Sequence, residues 1–117
     1  MNLIDPNISI MSKALTLRLQ RHGVIASNIA NADTPGFRPS QVSFEEELQK
    51  SVNSKKMDKV QSVTGKVELM DDGVPRADGN SVDMDKQLSS LSENSLTYNA
   101  TAEFLARKLK MLKSVIS

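Results

Sequence analysis

Apolar positions along this chain fall into two regimes. Toward the C-terminus, Met84, Leu88, Leu91, Ser95, Tyr98, Ala102, Leu105, Leu109, Leu112 and Ile116 recur with alternating spacings of four and three. Held over more than four heptads, that period predicts an α-helix with one continuous seam. No Gly or Pro interrupts residues 81–117. Ser81 is placed to cap the helix, Asp83 and Asp85 suit its positive end, and Arg107, Lys108, Lys110 and Lys113 suit its negative end. At 1.5 Å per residue such a helix is roughly 50 Å long. A rod that slender has no core of its own, so the seam demands a partner.

The N-terminal end offers one. Ile8, Met11, Leu15, Ile25 and Ile29 lie on one heptad stripe, interrupted by Arg18 and His22. Ile10, Ala14, Leu17 and Val24 form a second stripe beside it, continued by Arg21 and Asn28. Two adjacent stripes mean either a wide face against one helix or contact with more than one neighbour. The middle of the chain follows no such period. Ser43, Phe44 and Glu46 predict a capping box opening a short helix lined by Phe44, Leu48 and Val52. Between residues 53 and 80 apolar residues thin out and Gly65, Gly73, Pro75 and Gly79 punctuate the chain. Val60–Val63 and Val67–Leu69, flanking Thr64-Gly65, are equally compatible with a short β-hairpin and with disorder. The expected fold is thus mainly α and a single domain. Residues 1–33 form a helix and its exit, 34–80 a turn, a short helix and a variable middle, and 81–117 the heptad helix. The two terminal helices pack as a coiled-coil-like pair.

Composition narrows the function classes. At 117 residues, with 3% aromatics and no Trp, the chain can fill only a small core. Net charge is +1, distributed as +2 over residues 1–39, −3 over 40–86 and +2 over 87–117. That balance lacks the basic face of a nucleic-acid binder. The absence of cysteine excludes disulfides and Cys-ligated zinc. No window approaches the roughly 18–20 apolar residues of a membrane span. Asp5 and Pro6 stand where a cleaved secretory signal would be basic and then apolar, so no such signal is expected.

Catalytic material is scarce. His22 is the one histidine, and a Ser-His-Asp set would have to draw it from inside a helix, beside Gly23. A polar residue on a helix face is the expected role. The run Asp78-Gly79-Asn80-Ser81-Val82-Asp83 begins like a calcium loop but has Asp83 at the sixth position and Ser89 at the twelfth, where Gly and Glu are needed. Turn plus helix cap is the expected structure there. Glu45-Glu46-Glu47 suits a solvated helix face. No catalytic, cofactor or metal site and no small-molecule substrate are expected.

One stretch is not generic: Ala26-Ser-Asn-Ile-Ala-Asn-Ala-Asp-Thr-Pro-Gly-Phe-Arg38. Asn28 and Asn31 lie near a helix end, where unpaired carbonyls need donors; their amides can serve these or bridge to another helix. Thr34-Pro35-Gly36-Phe37 suits a type II turn, with Pro fixing φ at the second position and Gly taking φ > 0 at the third. Phe37 follows as an apolar anchor. From Ser27 through Phe37 the stretch resembles the signature of the flagellar axial family of rod, hook and hook-associated proteins. Asp78-Gly-Asn-Ser-Val-Asp-Met-Asp-Lys86, Asn94-Ser-Leu-Thr-Tyr98, and Ala14-Leu15 with Arg18 and Arg21 resemble its proximal-rod branch. The resemblance covers residues 1–48 and 73–117. After Phe37, Arg38-Pro39-Ser40-Gln41 departs from the Lys-Ala-Arg-Asp usual in that branch, and Pro39, lacking an N–H, leaves the exit path open.

The resemblance implies a structural subunit that is exported unfolded through the flagellar type III apparatus without a cleaved signal. It implies assembly through the terminal helices into the rod that crosses the periplasm. Implied partners are further copies, other rod proteins and the adaptor region at the MS ring. The assembly seam would use Leu88, Leu91, Tyr98, Ala102, Leu105, Leu109, Leu112 and Ile116 with Ile8, Met11, Leu15, Leu17, Val24, Ile25 and Ile29. Competing readings are another rod subunit of the family (FlgC-like), a soluble coiled-coil adaptor or export chaperone, and an enzyme with a polar pocket.

Overall fold

The structure, a computed structural model, describes residues 6–70 and 74–116. In chain order the elements are α1 (Pro6–Ala30), β1 (Ser40–Ser43), α2 (Glu45–Asn53), α3 (Met57–Ser62), β2 (Lys66–Leu69) and α4 (Met84–Ile116). Pro6 opens α1 at the position where a missing N–H costs nothing. The first five residues and Ser117 fall outside the described residues, as do residues 71–73. The cap of α4 is Asp83 and not Ser81: the Lys86 N–H donates to Asp83 Oδ1 at 3.2 Å. Ser81 is engaged earlier, its N–H donating to the Phe37 carbonyl at 3.1 Å.

The long helices α1 and α4 pack against each other and give a body of 61 × 26 × 16 Å. They run antiparallel: Asn28, near the end of α1, meets Gln87, near the start of α4, whereas Arg18 meets Asn94. The two stripes of α1 have different neighbours. The first shares its face with Arg18 and His22, which lie beside Asn94 and Tyr98 of α4. The second faces the chain's own middle. Leu17 joins Val42, Phe44 and Val63 in the core, with Val24 and Leu48 packed against it. At 3% exposure Leu17 has no surface left for another subunit. Val24 is largely occupied in the same way.

The described part of the middle segment holds short helices and a small two-stranded antiparallel sheet, as expected in kind, but the strands are not those of the hairpin expected at residues 60–69. Val60 belongs to α3 and is fully buried. Val60 and Val63 are three residues apart, so one helical turn brings both to the same side, where α3 meets α1. Strand β2 pairs with β1, not with residues 60–63, in the antiparallel register Ser40↔Leu69 through Ser43↔Lys66. Ser43 is held in that ladder and cannot cap α2. Phe44 takes the N-cap position without a side-chain cap, and its N–H donates to the Glu45 carboxylate at 3.3 Å. Pro39 is buried at the head of β1, and its carbonyl accepts the Met70 N–H at 2.9 Å. A proline fits the start of a strand because that position can accept without donating.

Candidate functional site

The exit from α1 and the approach to α4 are built as one clasp. Asn31 turns back to donate from Nδ2 to the Ser27 carbonyl at 2.8 Å, serving an end that the helix leaves open. The Phe37 N–H donates to the Thr34 carbonyl at 3.2 Å and Gly36 has φ 74°, the geometry of a type II turn. Asn80, fully buried just ahead of α4, meets this turn from the far side of the middle segment. Its Nδ2 donates to the carbonyls of Asn31 at 2.9 Å and Thr34 at 2.7 Å, and its Oδ1 accepts the Val82 N–H at 2.8 Å. The Gly36 N–H donates to the Asp78 carbonyl at 2.8 Å, and Arg76 donates from Nη2 to the Ala32 carbonyl. Gly79, with φ 84°, sits against Gly36: a Cβ on it would stand 3.3 Å from the Gly36 Cα. The acidic loop is therefore a turn, with Asp78 Oδ1 accepting the Asn80 N–H at 3.0 Å.

Below the clasp, the deepest positions between the long helices are polar. Asn28 donates to Gln87 Oε1 at 3.0 Å and to the Ser40 carbonyl at 2.8 Å, and its Oδ1 accepts the Ser40 N–H at 3.0 Å. Asn94 donates to the Arg18 carbonyl at 2.9 Å. Gln87 and Asn94 are the buried residues of α4, and a polar group at such a layer fixes register at some cost in stability. Arg21 donates to the Val42 carbonyl, forks onto both Glu45 oxygens at 2.7 Å and lies over the Phe44 ring. Those hydrogen bonds pull Glu45 down to about 2 against the opposing effect of partial burial, with backbone N–H groups adding to the fall. Glu45 is thus tied to α1, while Glu46 and Glu47 stay exposed. Burial and the charge of Arg21 lower Arg18. Arg18, Asn94, Lys86 and Glu93 line an open cleft of about 320 Å³ between α1, α4 and β1. Among the described residues, Arg18 Nε and Asn94 Oδ1 are buried there without a hydrogen-bond partner.

The expected seam of α4 is only partly covered by α1. Leu91, Tyr98, Ala102, Leu105 and Leu112 are half-buried, whereas Leu88, Leu109 and Ile116 remain exposed. On α1, Ile8 and Ile25 are buried and Met11, Leu15 and Ile29 half-buried. Heptad reading missed a further stripe: Leu96, Ala100, Phe104, Met111 and Val115 follow one another on the far side of α4. Phe104, Met111 and Val115 are 63%, 64% and 81% exposed. It also missed Asn80, Gln87 and Arg76, and it placed Arg21 only as a continuation of the second stripe. Gly36 and Gly79, one in each half of the clasp, were the available signal for Asn80. His22 is exposed beside a shallow cavity shared with Leu19 and Tyr98.

An elongated helical hairpin, its two long helices joined by a clasp and an apolar face of α4 uncovered, suits a protein that meets other chains. Residues 8–38, the first helix and exit turn, match the family described as flagella basal body rod protein. The chain is 32% identical over 130 residues to the flagellar basal body rod protein FlgB of Escherichia coli K12, covering 97% of this chain and 94% of that relative. It is 29% identical to FlgB of Bacillus subtilis, covering 100% and 98%, and 28% identical to FlgB of Borrelia hermsii, covering 99% of each. The chain belongs to the FlgB family of flagellar basal body rod proteins.

Proposed function

We propose that this chain is a non-enzymatic structural subunit of the bacterial flagellar basal body rod, assembling through α1 and α4 with copies of itself and with other rod proteins into the shaft that crosses the periplasm. The observation that carries this is the uncovered stripe Leu96, Phe104, Met111 and Val115 on the side of α4 away from α1. Aligned apolar residues of that size on a water-facing helix suit a surface that is buried in an assembly. Leu88, Leu109 and Ile116, on the α1-facing seam, remain exposed as well and leave a second apolar strip for a neighbour. Export by the flagellar type III apparatus without a cleaved signal, and contact with the adaptor region at the MS ring, belong to the same reading.

Phe104→Asp tests it. The side chain lies in water in the single subunit, so the purified variant should keep the parent's helicity and unfolding midpoint. In cells it should leave rods unassembled and swimming abolished, because the charge would enter an apolar contact between subunits. Normal rods and normal swimming with Phe104→Asp and Met111→Asp combined would refute the assignment of this face.

A further inference from the structure

Strand β2 leaves one backbone edge in solvent, and its hydrogen-bonding phase is fixed. The Met70 N–H reaches the Pro39 carbonyl, and the register continues through Gln41↔Glu68 and Ser43↔Lys66. Ser40 and Val42 point their polar groups the other way, where Asn28 and Arg21 of α1 take them up. The free edge of β1 is thus closed by side chains. By the same alternation, Val67 and Leu69 aim their N–H and C=O groups away from β1. Among the described residues nothing bonds these groups. All four residues of β2 are exposed. Val67 and Leu69 keep 53% and 52% of their surface in water although they share the sheet face of buried Val42. An open edge carrying apolar residues is a template for another strand.

We infer that this edge pairs with the same edge of a second copy, antiparallel and centred on Val67, to make a four-stranded sheet across a two-fold axis. The outward-pointing groups belong to Val67 and Leu69, so Val67 can exchange both backbone bonds with Val67 of the second copy. The same phase also admits a sheet centred on Glu68, in which Val67 would bond Leu69 of the second copy, and charge decides between the two. Centring on Val67 sets Lys66 opposite Glu68 of the second copy, twice by symmetry, whereas centring on Glu68 would set that carboxylate against itself. Leu69 then lies opposite Gly65 of the second copy, which has no side chain to obstruct it. The contact is isologous and closes at two copies. It uses neither face of α4, so it stands apart from the rod-assembly surface.

Sedimentation equilibrium of the full chain from micromolar to millimolar concentration tests the pairing. The parent should show a reversible monomer–dimer equilibrium. Val67→Pro removes an N–H that makes no bond within the subunit, so the unfolding midpoint should stay near the parent's while dimerisation weakens at least about tenfold. Lys66→Glu should weaken it too, and Lys66→Glu with Glu68→Lys should restore it. The exchange of charges keeps the test decisive if the proline variant misfolds. A parent that is monomeric at millimolar concentration would overturn the inference. So would a dimer that survives Val67→Pro but is lost in Phe104→Asp, or a charge exchange that fails to restore pairing.

Discussion

Replacing Asn80 by Ala should unfasten the exit of α1 from the approach to α4, and its cost can be assembled from the hydrogen bonds lost. The side chain is fully buried and makes three: two donated to the Asn31 and Thr34 carbonyls and one accepted from the Val82 N–H. Each is worth about 1 kcal/mol net, and a buried group left unpaired costs about 1–3 kcal/mol. Water entering the space would recover part of this, which leaves about 3–4 kcal/mol. Against a typical stability of about 5–15 kcal/mol that is a large fraction. Asn80→Asp is the sharper variant. It keeps the acceptor for Val82 but turns an anionic oxygen toward two carbonyls, so at neutral pH it should be at least as damaging as Asn80→Ala. Lowering the pH should relieve it as the carboxyl regains a donor. Urea unfolding followed by far-ultraviolet circular dichroism gives the stabilities, and hydrogen exchange at Thr34, Gly36 and Phe37 gives the local opening. Asn99→Ala, on the exposed face of α4, is the control. If Asn80→Ala costs no more than that control, or if exchange at the turn is unchanged, the clasp does not hold the two segments together.

Other consequences can be checked with the same assays. Gly36→Val should cost about 1 kcal/mol or more through backbone conformation alone, with Gly36→Asn milder, because φ is 74° and a Cβ there meets nothing within 4 Å. Gly79→Ala should cost more than Gly36→Ala, since it adds the 3.3 Å approach to the Gly36 Cα. Leu17→Ala should lose about 2–5 kcal/mol in the isolated subunit, whereas Leu19→Ala, on the exposed side of α1, should lose little. The Glu45 contribution is complete above its unfolded pKa of about 4.3 and fades as pH falls toward the folded value of about 2. Because 57% of that side chain is in water, screening limits it to about 1 kcal/mol. The stability gap between the parent and Glu45→Gln should therefore narrow from pH 7 to pH 3.

What was legible in the sequence depended on periodicity and on backbone-specific residues. The long helices follow from heptad spacing, and the exit turn follows from Pro35 and Gly36, whose φ preferences leave few alternatives. The polar layer was invisible to the same logic. Gln87 and Asn94 sit among the positions that face α1, yet hydrophobic periodicity assigns a polar side chain to the water side. Only the arrival of Asn28 and the Arg18 carbonyl makes them interior. Strand β1 was missed for a related reason. Ser40-Gln41-Val42-Ser43 has no strand-forming run, and its extended shape is held by Asn28 and Arg21 on one edge and β2 on the other. The false hairpin at residues 60–69 came from counting valines in sequence when their partners lie on α1 and β1.

The clasp also sets the topology of everything between its halves. Residues 31–37 and 76–82 are fastened backbone to backbone, so the chain from Arg38 to Pro75 is a loop pinned at both feet. Closing a longer loop costs only about 0.6 kcal/mol for each doubling of its length. The clasp has met the closure cost whatever the loop contains. Insertions at exposed points such as Val74, which lies almost wholly in water, should leave the junction of α1 with α4 in place. The middle can then change in length while the paired helices stay in register.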